Sequence, residues 1–149
     1  MQTADNVAKW FLSRNKVRGV GTDVEYLTNL KLQKLLYYAQ GCFLALYDKP
    51  LFEEPILAWG YGPVVKSVYD TYKSYDRDGI KNFDFPVENF SDEEQSVLGS
   101  VYDVFGQYSA WKLVEMTHSE TPWKSTERGE VISVDKIKDF FEKNYVEEN

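Results

Sequence analysis

The chain has 149 residues, 43% hydrophobic and 28% charged, with one cysteine and one histidine; 17 Lys and Arg stand against 24 Asp and Glu, for a formal charge of −7. Such a length predicts one domain able to bury a core without metal or disulfide support, and the lone Cys42 excludes a disulfide framework, which points to a reducing, cytoplasmic setting. No basic flank followed by an apolar run opens the chain, no run of about 18 apolar residues occurs, and a single histidine excludes a multi-histidine metal site, so neither signal peptide, membrane span nor such a site is expected.

Val7, Trp10 and Phe11 predict a helix over residues 4–14, followed by a basic, glycine-containing connection to Tyr26. The strongest periodic signal runs from Leu30 to Leu46. From Leu32, the residues Leu35, Leu36, Ala39, Cys42, Phe43 and Leu46 fall at offsets of 3, 4, 7, 10, 11 and 14, one apolar stripe on a helix. Thr28 suits its N-cap, and Asp48-Lys49-Pro50 supplies the stop. Cys42 lies in the stripe as a packed, inert thiol. Pro50 and Pro55 argue for an extended segment over residues 51–59. Gly62-Pro63 then predicts a helix start, because proline suits the first helical position; Val65, Val68, Tyr69 and Tyr72 keep the spacing and residues 76–79 end it.

Residues 77–90 form a long connection, expected to be held on the surface by Phe83, Phe85 and Val87. Ser91 and Glu94 form a capping box ahead of Val97, Leu98, Val101, Tyr102 and Phe105. Ser109 caps a short helix through Met116 with Ala110, Leu113 and Val114 inward, and Thr121-Pro122-Trp123 can begin a helical turn. Val134, Ile137, Phe140 and Phe141 mark a final helix over Val134–Asn144, while residues 130–133 suit a short strand paired with residues 52–58. The fold class is mainly α: a single compact domain over residues 1–149, with five or six helices and a small two-stranded β element.

Charge is uneven: residues 1–49 hold seven basic side chains against four acidic, so the negative balance lies in the remainder. Walker, dinucleotide-binding, His-Glu-x-x-His and Gly-x-Ser-x-Gly motifs are absent. His118 and Glu120 have the spacing of a general acid and its orienting carboxylate, yet anchoring a loop by hydrogen bonds is the commoner role for such a pair. The Trp59–Pro63 step reads as turn and cap or as a contact for an anion or partner, and Trp123 as core or exposed anchor. Lys31, Gln33 and Lys34 fall on the polar side of the long helix beside Tyr37 and Tyr38. Basic side chains among aromatics can bind single-stranded nucleic acid, but with a net charge of −7 a solvated face is the simpler reading.

Four blocks resemble one family as a set: Leu27 to Gly41 (LTNLKLQKLLYYAQG), Pro50-Leu51-Phe52, Ala58-Trp59 with Tyr61 to Val65 and Val68-Tyr69, and Thr117-His118-x-Glu120-x-Pro122-Trp123. In order and spacing, over residues 4–145, they are similar to the Panacea domain, the SocA-like antitoxins and phage-associated GepA-type proteins. The resemblance implies a helical, non-enzymatic, cofactor-free domain of bacteria and their phages, which neutralises by direct binding a toxin encoded next door. It also implies that members pair with toxins of unrelated fold, and that at least one branch delivers its toxin to a protease. One departure is visible: the family continues Pro-Trp-x-x-Ala-Arg, whereas here Arg128 stands one place further on. Many members carry a further DNA-binding domain, for which these residues leave no room, so autoregulation by this chain alone is not expected.

The partner surface is expected on residues 60–66 and 117–128, brought together in space, with Tyr61, Lys66, His118, Glu120, Trp123, Lys124 and Arg128 as its contacts. No catalytic residue, metal or cofactor is expected, nor a membrane or direct nucleic-acid partner. A homo-oligomer is allowed. The alternative role is a nucleic-acid-associated regulator of a phage or mobile element.

Overall fold

Residues 32–41 are buried without a break, polar side chains included, which makes their helix the axis on which the other elements pack. The computed structural model describes residues 1–18 and 25–146. The helices are α1 (Ala4–Arg18), α2 (Asn29–Tyr47), α3 (Lys66–Tyr72), α4 (Asp92–Phe105), α5 (Ala110–His118), the single turn α6 (Thr121–Lys124) and α7 (Val134–Asn144). A hairpin of β1 (Leu57–Trp59) and β2 (Gly62–Val64) lies between α2 and α3 in sequence, and a 3₁₀ turn, Lys73–Tyr75, follows α3. The fold is therefore mainly α with one small two-stranded sheet, as its sequence predicts. Helix α2 packs against α1, α4, α5, α7 and β2.

Encirclement of α2 corrects the expected solvated polar face. Lys34 and Gln33 are buried, and so are Tyr37 and Tyr38; Lys31 is half-buried, with its ammonium donating to the Gly106 carbonyl at 2.6 Å. A polar group in such a place must find a partner, and Lys31, Gln33, Lys34 and Gln40 find backbone of neighbouring segments. Gln33 Oε1 accepts the Val65 N–H at 2.9 Å, and Lys34 Nζ donates to the Pro63 carbonyl at 3.0 Å. Gln40 donates to the Phe52 carbonyl at 2.8 Å and accepts the Leu51 N–H at 2.7 Å. The polar positions of α2 thus fix the hairpin and the extended segment. At Gly41 an added Cβ would lie 2.4 Å from the Phe141 ring, so glycine there lets α7 close on α2.

Gly62-Pro63 does not open a helix. Both residues belong to β2, in antiparallel register with Trp59 and Ala58, and Gly62 takes φ 111 at the end of the turn. Proline is tolerated in this strand because the Ala58 N–H and carbonyl point to the other side, where they bond Glu130 O at 2.9 Å and Gly129 N at 2.7 Å. Helix α3 starts later, at Lys66, with Val65 as an N-cap that has no side-chain bond of its own. Residues 130–133 meet the predicted segment as a bridge, Leu57 to Val131, with Ile132 N–H on Ile56 O at 2.8 Å; the sheet proper is the hairpin.

Helix α1 continues past residue 14 to Arg18, because no breaker precedes Gly19 and Asn15 is tied down by Glu25 O at 3.1 Å and the Tyr102 hydroxyl at 3.0 Å. Of the predicted connection, residues 19–24 lie outside the described residues. The 77–90 connection is held differently from expectation: Phe83 packs on the core, but Phe85 and Val87 are 70% and 67% exposed. Buried Asn6 holds it instead, accepting the Val87 N–H at 2.7 Å and donating to the Val87 carbonyl at 3.1 Å.

The capping box closes both ways, Glu94 N–H to Ser91 Oγ at 3.1 Å and Ser91 N–H to Glu94 Oε1 at 2.9 Å. Thr28, Ser109 and Ser133 cap α2, α5 and α7 with their side chains. Ile137 and Phe141 bury the inner face of α7, whereas Val134 in its first turn and Leu46 at the end of α2 are half exposed. Cys42 is half-buried, and burial pushes its thiol up to about 12, as befits a packed rather than a reactive cysteine. Among the described residues no helix is long and apolar enough to cross a membrane.

Candidate partner-binding site

The hairpin turn projects Tyr61, 62% exposed, and the first turn of α5 projects Trp111, 61% exposed. Their rings meet edge to face, with centroids 5.3 Å apart and planes at 89°. Behind them Trp59 and Tyr69 form a second edge-on pair at 5.0 Å. These four aromatics wall a cleft of about 770 Å³, whose floor includes Asn29 and Gln33 of α2 and whose rim carries Lys73, Asp76 and Arg77. Asn29 donates to the Tyr69 carbonyl at 3.0 Å and accepts from Gln33 at 2.9 Å, so α2 fixes both the floor and the α3 wall. Large aromatics exposed in pairs around a concavity are what protein interfaces use as anchors.

Beside this cleft lies the second predicted loop. Trp123 Nε1–H donates to the Trp59 carbonyl at 2.7 Å, which brings residues 117–128 against the hairpin as expected. Trp123 is half-buried and committed on every side: the His118 ring stacks on it at 4.0 Å and 16°, and the Arg128 guanidinium carbon lies 3.6 Å from its ring centroid. Arg128 also donates to the Trp123 carbonyl at 2.9 Å, so the displaced arginine contacts Trp123 and not Glu120. Lys124 is exposed, and Lys66 is exposed and paired with Asp70 one turn along at 2.6 Å.

Glu120 is the exception among the expected contacts. It is 4% exposed, and its carboxylate accepts the hydroxyls of Tyr37 and Tyr38 at 3.0 Å each and of Tyr145. Burial raises its proton affinity above the ordinary carboxylate value, while the three phenol bonds pull the other way. Tyr37, Tyr38 and Tyr145 are all held far from ionising, by burial first and by the carboxylate second. Glu120 therefore ties α2 and the end of α7 to the start of α6, out of reach of any partner. Its bonds go to tyrosines and none to His118, so the acid-and-orienter arrangement does not form; among the described residues His118 Nε2 is buried without a hydrogen-bond partner.

Sequence reasoning missed Trp111, Tyr69, Lys73 and Arg77. Trp111 carried a signal, a tryptophan off the Leu113 and Val114 stripe in the first turn of its helix. In the sequence Tyr69 shows helical spacing and a place in a family block but no sign of a cleft, and the rim cations reach the cleft through a turn whose geometry the sequence does not show. Among the described residues no cluster of three or more His, Cys, Asp or Glu side chains could hold a metal ion.

The chain is 31% identical over 109 residues to Antitoxin SocA of Caulobacter vibrioides (strain NA1000 / CB15N), a match covering 65% of this chain and 58% of that protein. No solved structure matches the chain. Residues 32–124, from the body of α2 through α6, match the family described as Antitoxin SocA-like, Panacea domain, and the chain belongs to that family.

Proposed function

We propose that this protein is an antitoxin that neutralises a cognate toxin protein by direct binding, with the aromatic edge of the cleft as its contact surface. The observation that carries the reading is the pair Tyr61 and Trp111, two large rings left more than half exposed on a scaffold whose other aromatics are mostly packed or polar-tethered. Lys66, Lys124 and Arg128 add exposed charge on α3, α6 and the segment after it, while Glu120, Trp123 and His118 act from beneath by fixing the hairpin and α6. At long range the charge of −7 steers a basic toxin toward the protein.

Co-expression with the toxin encoded beside it tests the reading. The wild-type chain should restore growth, and the folded double variant Tyr61→Ala/Trp111→Ala should not. Full rescue by that variant would move the contact surface elsewhere. Toxin abundance in the rescued cells separates two routes to neutralisation: blockade leaves it unchanged, and delivery to a protease lowers it.

A further inference from the structure

The cleft behind Tyr61 and Trp111 has a chemistry of its own, distinct from that of the molecule as a whole. Its walls are aromatic, but the charged groups on its rim are Lys73, Asp76 and Arg77, a local positive balance on a protein of charge −7. Arg77 has no hydrogen bond, ion pair or ring contact among the described residues. Lys73 has only a distant ion pair with Asp70, 3.9 Å, and Asp70 is held more closely by Lys66 at 2.6 Å. The turn that places Arg77 is strained: Asp76 takes φ 51 and ψ −113, a conformation L residues avoid and one that persists only where the surroundings enforce it. Here its N–H bonds Lys73 O at 3.1 Å and the Asp78 N–H bonds Tyr75 O at 2.8 Å. The α2 and α5 starts that border the cleft carry no acidic residue in their first turns, so their partial positive charge is not offset there.

From this complementarity we infer that the cleft is a docking groove for an acidic segment of the toxin, one that places an aromatic or large aliphatic side chain among Trp59, Tyr61, Tyr69 and Trp111 and a neighbouring carboxylate on Arg77. The inference rests on the antitoxin reading and names what that surface recognises. A planar guanidinium without a partner suits a carboxylate, which it can hold by two parallel bonds. Single-stranded nucleic acid would also stack on the rings, but its affinity comes from many phosphates, and two rim cations are too few to hold a polyanion. A toxin that is basic overall can still offer a local acidic contact, since at physiological salt only charges within about 8–10 Å of one another interact strongly in the groove.

Fluorescence anisotropy with synthetic probes tests the assignment on the intact chain. The probes are a labelled hexapeptide alternating aspartate and tryptophan, its asparagine and tryptophan counterpart, and decathymidylate. The aspartate peptide should bind at least ~10-fold more tightly than the asparagine peptide, a difference of about 1.4 kcal/mol. Arg77→Ala should abolish that preference, Trp111→Ala should weaken both peptides, and Lys143→Ala, on α7, should change neither. Arg77 is exposed and has no hydrogen bond, ion pair or ring contact among the described residues, so its variant should retain the wild-type circular dichroism and melting profile. Equal affinity for the two peptides, tighter binding of decathymidylate, or absence of peptide binding by the folded protein each overturns the groove. Toxin rescue that persists alongside any of these results would leave the antitoxin reading standing and refute the acidic-segment inference alone; loss of rescue by the wild-type chain would refute the reading itself.

Discussion

Lys34 is a fully buried ammonium with a carbonyl for company and no paired carboxylate, and this makes stability depend on pH in a direction opposite to that of most buried acids. Burial holds its proton affinity down to about 7, against 10.5 for an ordinary lysine. Between those values the unfolded chain binds a proton that the folded chain has released, so stability rises with pH; the contribution is complete above the unfolded value and lost as pH falls through about 7. From about pH 7 to about pH 8.5 the gain works out at roughly 1–2 kcal/mol. Above about pH 8.5 Cys42 opposes it, because a thiol raised to about 12 in the fold ionises more readily unfolded. Lys34→Met keeps the length and removes the charge. The Pro63 carbonyl then loses its donor, a pH-independent cost of about 1 kcal/mol, so the slope is the readout and not the absolute stability. Urea denaturation at several pH values should show wild-type stability climbing through the window and the variant staying flat. Parallel curves would refute the claim that burial lowers the proton affinity of Lys34 in the folded chain.

Gly41→Ala should cost about 1–3 kcal/mol in the same denaturation assay, because its methyl would fall within 2.4 Å of the Phe141 ring, and pairing it with Phe141→Leu should recover part of that loss. Trp123→Ala should lower the melting temperature through loss of the Trp59 carbonyl bond and the His118 and Arg128 stacks, whereas Tyr61→Ala should leave stability within about 0.5 kcal/mol and act on toxin binding alone, by calorimetry and pull-down with the toxin. Glu120 has a raised proton affinity, so its share of stability is complete below the ordinary carboxylate value and lost as pH rises through its folded value; Glu120→Gln should remove that component from the pH profile of unfolding.

Helix starts were legible wherever a side chain announced them. Thr28, Ser91 and Ser109 each accept a backbone N–H in the first turn of their helix, an interaction within four residues that sequence alone specifies, whereas Ser133, which caps α7 in the same way, reads in the sequence as the end of a strand. Gly62-Pro63 misled because its two uses, helix start and edge strand, differ only in what neighbours it: Gln33 claims the Val65 N–H, and Glu130 claims the Ala58 N–H from the far side. Periodicity places Lys34 and Gln33 in solvent because it weighs a residue by its type, whereas burial is decided by whether a tertiary partner stands opposite. For Lys34 that partner is a carbonyl 29 positions further along the chain.

The same distinction explains why the family blocks were easier to find than the candidate site. Much of what carries the resemblance turns inward as polar staples: Gln33, Lys34 and Gln40 hold backbone of the hairpin and the extended segment, and Tyr37, Tyr38 and Glu120 close one buried cluster. Replacing such a residue leaves a buried group unpaired, which restricts what can stand there. Trp111, Lys73 and Arg77 lie outside those blocks, on the cleft rim, where substitution costs the fold little and changes what the cleft can hold. On the proposed reading, a scaffold with buried staples can keep its shape while the rim positions outside those blocks are rewritten for another toxin. Transplanting the rim residues at 73, 77 and 111 from a relative should therefore shift toxin preference while leaving the melting temperature near that of the parent, and a transplant that melts early or keeps the parent's preference would show that scaffold and contact surface are not separable in this protein.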